Sequence, residues 1–245
     1  SIVQGFGSYS YVNAGGGICL YSAGSGSVVR IWNNVVYDFA GGGWPAGIRL
    51  GDADVILYAF NNTVYNNNTG FRNTDGVFVS RNNLAQHCGG GFDGSFDGSS
   101  SNNLSDHADA PGTNSRNSTI VTFVDADHGN FHLSAADTGA RNYGADLSAD
   151  AHLAFSDDIN GRARPIGPAW DIGADERALA PELVVLGNGA RIANGAAMPN
   201  LTNHTDFGIV AVNGGALTRT FTITNQGEQS LTVEAVSIGG AHPAD

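Results

Sequence analysis

The chain has 245 residues with 23 Asp plus Glu against 11 Lys plus Arg, a formal charge of −12, and every one of its cations is arginine. An acidic chain without a basic stripe repels phosphate backbones and anionic lipid surfaces, so nucleic-acid and membrane-surface partners are not expected, and no apolar run approaches the ~18 residues of a membrane span. Glycine supplies 35 positions and asparagine another 24, whereas Glu, Met and Lys are scarce or absent, which excludes a helical protein and favours one rich in turns.

In chain order, the first half is organised by four Asn pairs: Asn33-Asn34, Asn61-Asn62, Asn82-Asn83 and Asn102-Asn103, spaced by 28, 21 and 20 residues. Ahead of them a glycine opens a short apolar segment, as in GICLYS from Gly17, GIRLGD from Gly47 and GFRNTD from Gly70. A period of about 20 to 30 residues with short alternating strands between turn residues is the signature of a β-solenoid. On this reading Ile31, Val35, Ile48, Ile56, Val64 and Val77 point inward and stack on their equivalents in the next coil. Asn tolerates a left-handed backbone at a turn, and its amide both donates and accepts, so the eight paired Asn residues are expected to hydrogen-bond in a ladder.

Charged candidates fall in the second and third repeats. Arg49, Asp52 and Asp54 in GIRLGDAD, with Arg72 and Asp75 one repeat later, offer carboxylates and bases for catalysis, and Asp52 and Asp54 share a face if extended. The competing reading is a polar turn with local Arg to Asp pairing. Aromatic residues that could stack on a sugar, Trp32, Tyr37, Trp44, Tyr58 and Tyr65, sit at strand positions, where packing accounts for most of them. The loop from Gly89 to Ala110 carries Asp93, Asp97, Asp106 and Asp109, hard oxygen donors of the kind Ca²⁺ prefers; Asp125, Asp127, Asp157 and Asp158 make a weaker set. His87, His107, His128, His132, His152 and His204 are read as showing neither H-x-x-x-H nor HExxH spacing, so a zinc site is not expected. Cys19 and Cys88 lie at least two coils apart, ~10 Å at ~4.8 Å per coil and beyond the ~7 Å disulfide limit, so two free, buried thiols are expected. Sequons at Asn67, Asn117, Asn200 and Asn203 are candidate glycosylation positions, whereas Asn61, in a ladder turn, is not.

The segment FVDADHGNFHLSAADTGARNYGAD (Phe123 to Asp146), followed by DDINGRARPIGPAWDIGADE (Asp157 to Glu176), resembles the closing segment of secreted bacterial parallel β-helix proteins with choice-of-anchor Q domains, in the pectate-lyase-like superfamily. The likeness is carried by Phe131-His132-Leu133, Asp158, Gly161, Arg164-Pro165 and Asp171 to Glu176, and it departs from the family pattern at Asp137-Thr138-Gly139. It implies an all-β chain: a right-handed parallel β-helix over residues 1–177, outside the cell or on its surface. After a linker at 178–182, residues 183–245 resemble the start of an Ig-like choice-of-anchor D domain, related to the ASPM, SPD-2 and Hydin repeat, through Asp206-Phe207-Gly208, Phe221-Thr222-Ile223 and Asn225-Gln226-Gly227. Alternation in TRTFTITNQG and SLTVEAVSI predicts antiparallel strands there. Such a sandwich needs about 100 residues and seven strands, and 65 remain from Pro181. Either the sequence is a fragment, or a neighbouring copy completes the sandwich by strand addition, giving a head-to-tail filament.

Two function classes follow. One is a non-catalytic structural or adhesive module, bound to itself or to surface glycans and needing no cofactor beyond a possible Ca²⁺. The other, implied by the superfamily, is a polysaccharide lyase or glycosidase.

Overall fold

The computed structural model describes residues 1–4, 16–21, 26–39, 45–177, 181, 183–193, 195–209, 214, 216–225 and 231–236. The chain divides into two compact units, Ser1–Arg177 and Ala178–Asp245. Both are built from strands. Among the described residues the only helical element is a 3-10 turn, Ala126–His128, and no helix is long and apolar enough to cross a membrane.

In the first unit ten strands make two parallel sheets. One takes β1 (Ile2–Gln4), β4 (Val35–Tyr37), β6 (Thr63–Tyr65), β8 (Leu84–Gln86) and β10 (Leu104–Ser105), in the order β1-β4-β6-β8-β10. The other takes β2 (Ile18–Leu20), β3 (Val28–Trp32), β5 (Ala46–Phe60), β7 (Thr69–Arg81) and β9 (Phe92–Gly94), with β2 and β3 pairing successive halves of β5. From β3 onward the chain crosses from the second sheet to the first at every Asn pair and returns after each three-residue strand. Equivalent residues therefore align: Ile48 beside Phe71 beside Phe92, and Val36 beside Val64 beside Ala85.

The inner faces of the two sheets enclose one core of Val36, Ile48, Leu50, Leu57, Val64, Phe71 and Phe78. Of the expected inward residues, Ile48 and Val64 are fully buried, and Ile31 packs against the core from its edge. Three are corrected. Ile56 and Val77 lie in an outward row, Val77 being 42% exposed, while their neighbours Leu57 and Phe78 are inside. Val35 is buried on the outer side of its strand against Phe131 and Ala174. A strand presents its two faces in alternation, so a one-residue error in register exchanges them, and a strand buried on both sides gives no alternation to read.

The recurring glycines have a steric cause. A Cβ on Gly17 would stand 2.2 Å from Val36 Cγ1, and one on Gly70 would stand 2.5 Å from Gly91 O and 2.9 Å from Val64 Cγ2. At Gly91 it would meet Ser105 Oγ at 2.2 Å, so GFDG at Gly91 is a fourth repeat of the pattern. The two sheets approach too closely along this row for any side chain. Gly70→Ala is expected to lower stability by about 1–3 kcal/mol through overpacking, read as a fall in the urea midpoint at unchanged m-value.

Thr113 and Arg116 still pair in parallel with Ser101 and Leu104, and residues from Val121 to Arg177 form a second layer on the outer faces. Val121, Leu133, Ala140 and Ile172 cover Leu84 and Leu104, and Leu147, Leu153 and Trp170 cover Phe60 and Val79. The layer includes an antiparallel hairpin, β11 (Phe123–Asp125) and β12 (Asn130–Leu133), whose Phe123 and Phe131 rings pack on Tyr65, with Phe131 also on Tyr37.

The second unit contains β13 (Leu183–Gly187), β14 (Ala190–Ile192) and β15 (Phe221–Asn225) in an antiparallel sheet ordered β14-β13-β15. Asn188 and Gly189, both at positive φ, make the two-residue turn between β13 and β14. The predicted strand in SLTVEAVSI does not form over its described residues 231–236, where Val236 is 75% exposed. Alternation marks a segment suited to a half-buried surface, and pairing still requires a neighbouring backbone.

Candidate functional site

The Asn pairs divide their work by position. The first member of each pair, Asn33, Asn61, Asn82 and Asn102, holds φ between 49° and 53°, the left-handed turn that Asn tolerates. The second members form the ladder. Asn34 Nδ2 donates to Asn62 Oδ1 at 2.9 Å and Asn62 Nδ2 donates to Asn83 Oδ1 at 3.0 Å. Asn83 N donates to Asn103 Oδ1 at 3.1 Å, and Asn103 N donates to Ser115 Oγ at 3.0 Å, which ends the row.

The first members turn outward and hold the closing segment by its backbone, and Asn82 Nδ2 also donates to Asn61 Oδ1 at 2.9 Å, a rung of their own. Asn33 Nδ2 donates to Asp157 O at 2.8 Å, and Asn61 Nδ2 donates to Asp171 O and Gly173 O, both at 3.0 Å. Asn82 exchanges two bonds with the Ala145 peptide, and Asn102 Nδ2 donates to Tyr143 O. One dipeptide thus supplies a rung to the stack and an anchor for the layer that covers it. A second left-handed row, Asp38, Asn66 and His87, closes the strands of the first sheet. Its mixed residue types hid it in the sequence.

Within that layer lies a cluster of buried charges. Arg164 and Glu176, both side chains fully buried, pair at 2.8 Å, and Arg164 also donates to the carbonyls of Asp157, Asp171, Gly173 and Ala174. Glu176 accepts the Ile166 and Asp171 N–H groups. Asp158 accepts those of Asn160, Arg162 and Glu176, and Asp171 those of Asn142 and Arg177. Burial, then the nearby Glu176 charge, push the Asp171 carboxyl up to about 7, and burial also raises Glu176. A carboxyl whose folded pKa exceeds its unfolded value of ~3.9 binds a proton preferentially in the folded state. The Asp171 contribution is therefore present below pH ~4 and lost as pH rises toward 7. Urea midpoints should fall across that window, and less so in Asp171→Asn.

The catalytic candidates have local structural roles. Arg49, Arg72 and Asp93 do align across β5, β7 and β9, with Arg72 Nε 3.2 Å from Asp93 Oδ2 and the Arg49 guanidinium 5.0 Å above the Tyr21 ring. Asp52 Oδ1 accepts the Asp54 N–H at 3.3 Å and Asp75 Oδ1 the Gly76 N–H at 3.0 Å, so these acids close turns at the irregularity in the β5–β7 ladder.

The aspartates of the Gly89 to Ala110 loop are not gathered. Asp93 faces Arg72, Asp97 accepts from Ser99, Asp106 from the His87 N–H, and Asp109 from Ser105 and the Gly91 N–H. Among the described residues no three His, Cys, Asp or Glu side chains are grouped to hold a metal ion. Asp125 instead faces His128, and Asp158 is buried in the ion cluster. Of the sequons, Asn67 is corrected: it is buried and its Nδ2 donates to Val36 O, which leaves no room for a glycan. Asn117 and Asn200 are exposed and Asn203 is half-buried. Both cysteines are free, but only Cys88 is buried, its thiol pushed up to about 12 by desolvation; Cys19 is half-buried. Trp44 lies outside the described residues.

One signal in the sequence was missed. His128-Gly129-Asn130-Phe131-His132 is an H-x-x-x-H spacing, and both imidazoles line one cleft of about 420 Å³ on the outer face of β1 and β4. Comparison with protein-family models, with curated proteins and with solved structures found no match.

Proposed function

We propose that the first unit is a right-handed parallel β-helix of the choice-of-anchor Q kind, followed by the start of an Ig-like sandwich, and that it serves as a non-catalytic extracellular structural or adhesive module. The observation that carries this reading is where the polar side chains are used. The second Asn of each pair bonds along the stack, the first bonds to the closing segment, and the most buried ion pair, Arg164 with Glu176, holds that segment shut. Such an arrangement makes a stiff body. The places of β14 and β15 at the two ends of the sheet order support self-association by strand addition.

Sedimentation velocity over a hundredfold concentration range, with electron microscopy of the most concentrated sample, tests the assembly. Concentration-dependent growth into linear particles is expected, and a single monomer peak throughout would overturn it.

A second reading, a polysaccharide lyase or glycosidase, is favoured by the Arg49, Arg72, Asp93 row, because Arg49 Nε is buried without a hydrogen-bond partner. Screening polysaccharides for new reducing ends or unsaturated products, with and without Ca²⁺, separates the two readings. Product that disappears in Arg49→Ala would establish the enzyme.

A further inference from the structure

The hairpin β11–β12 carries a histidine pair that the architecture leaves open to solvent. His128 ends the 3-10 turn with its side chain 82% exposed, and His132 stands on the outward side of β12 with its side chain 42% exposed. Both line the 420 Å³ cleft, together with Ile2 and Val35. In each, Nδ1 faces a carboxylate: His128 Nδ1 is 2.9 and 3.0 Å from the two Asp125 oxygens, and His132 Nδ1 is 2.8 Å from Asp175 Oδ1. Asp175 is itself buried and accepts the Leu133 N–H at 2.9 Å through its other oxygen, so it is built into the hairpin as an anchor.

An imidazole that donates Nδ1–H to a carboxylate keeps its lone pair on Nε2, and this backing is the usual outer layer of metal-ligating histidines. Two such rings opening on one cleft favour a borderline ion that prefers nitrogen, not Ca²⁺, which prefers oxygen. We infer that His128 and His132 form a two-histidine site for a divalent transition ion such as Zn²⁺ or Ni²⁺, its other positions filled by water. No third His, Cys, Asp or Glu joins them among the described residues, so the site keeps open coordination positions. A bound ion would tie the hairpin tip at His128 to β12, within the layer that covers the first sheet.

Titration of the full chain with ZnCl₂ by calorimetry, with Ni²⁺ as a paramagnetic probe of the imidazole NMR signals, tests the site. One Zn²⁺ per chain is expected, with Ni²⁺ broadening His128 and His132 while His87, His107 and His152 stay sharp. His128→Gln and His132→Gln should each weaken binding by about tenfold or more, and Asp125→Asn, which changes an exposed carboxylate, by about 10- to 100-fold. Unchanged thermal midpoints of the metal-free variants show that folding is intact. Zn²⁺ binding that persists in the double histidine variant, that depends on one histidine alone, or that is absent at millimolar metal would overturn the assignment.

Discussion

Replacing Glu176 with alanine is expected to destabilise the first unit by about 3–5 kcal/mol, the cost of leaving a buried charge without its partner. Arg164 would remain fully buried beneath Trp170, 5.5 Å from its ring, with its bonds to backbone carbonyls but without the carboxylate 2.8 Å away. The Ile166 and Asp171 N–H groups would lose their acceptor as well. Urea unfolding followed by circular dichroism measures the loss, and a change below about 1 kcal/mol would show that Asp171 and Asp158 suffice to balance Arg164. Because Glu176 raises the Asp171 pKa, the same variant should also shift the pH window of stability downward.

Asn83→Ala should be comparably severe. Asn83 is fully buried, accepts the N–H and side-chain amide of Asn62 and donates to Ala59 O and to Ser80 Oγ at 2.8 Å. The ladder is interrupted at its centre, and each orphaned buried group costs about 1–3 kcal/mol. A loss of roughly 3 kcal/mol or more is expected. Asn34→Ala, at the half-buried end of the row, should cost about 1 kcal/mol. Equal losses at the two positions would mean that the amides act singly and not as a ladder.

Much of this was legible along the chain because it is periodic. The Asn pairs recur every 20 to 28 residues, Asn is among the few side chains at ease in a left-handed turn, and a repeated amide bonds its own copy. The glycine row was visible for the same reason, although its fourth member, Gly91, was hidden in GGGFDG and its cause lies across the sheets in Val36, Val64 and Ser105. Inside and outside were not legible at Val35, Ile56 and Val77. The closing segment buries parts of the outer faces, so apolar residues occur on both sides of the strands and the alternation that would assign a face is lost.

The sequence by itself determined the all-β class, the repeat and the corner residues, since these depend on local backbone preference and on a period that any stretch of the chain displays. Only the tertiary structure decided that the first Asn of each pair anchors the closing segment, and that the acids of the Gly89 to Ala110 loop stand apart. It also brought Glu176 to Arg164 and Asp175 to His132. The reason is distance along the chain: Asn61 meets Gly173 across 112 residues and His132 meets Asp175 across 43. No local preference encodes such contacts, and they form only when the closing segment folds back over the stacked strands.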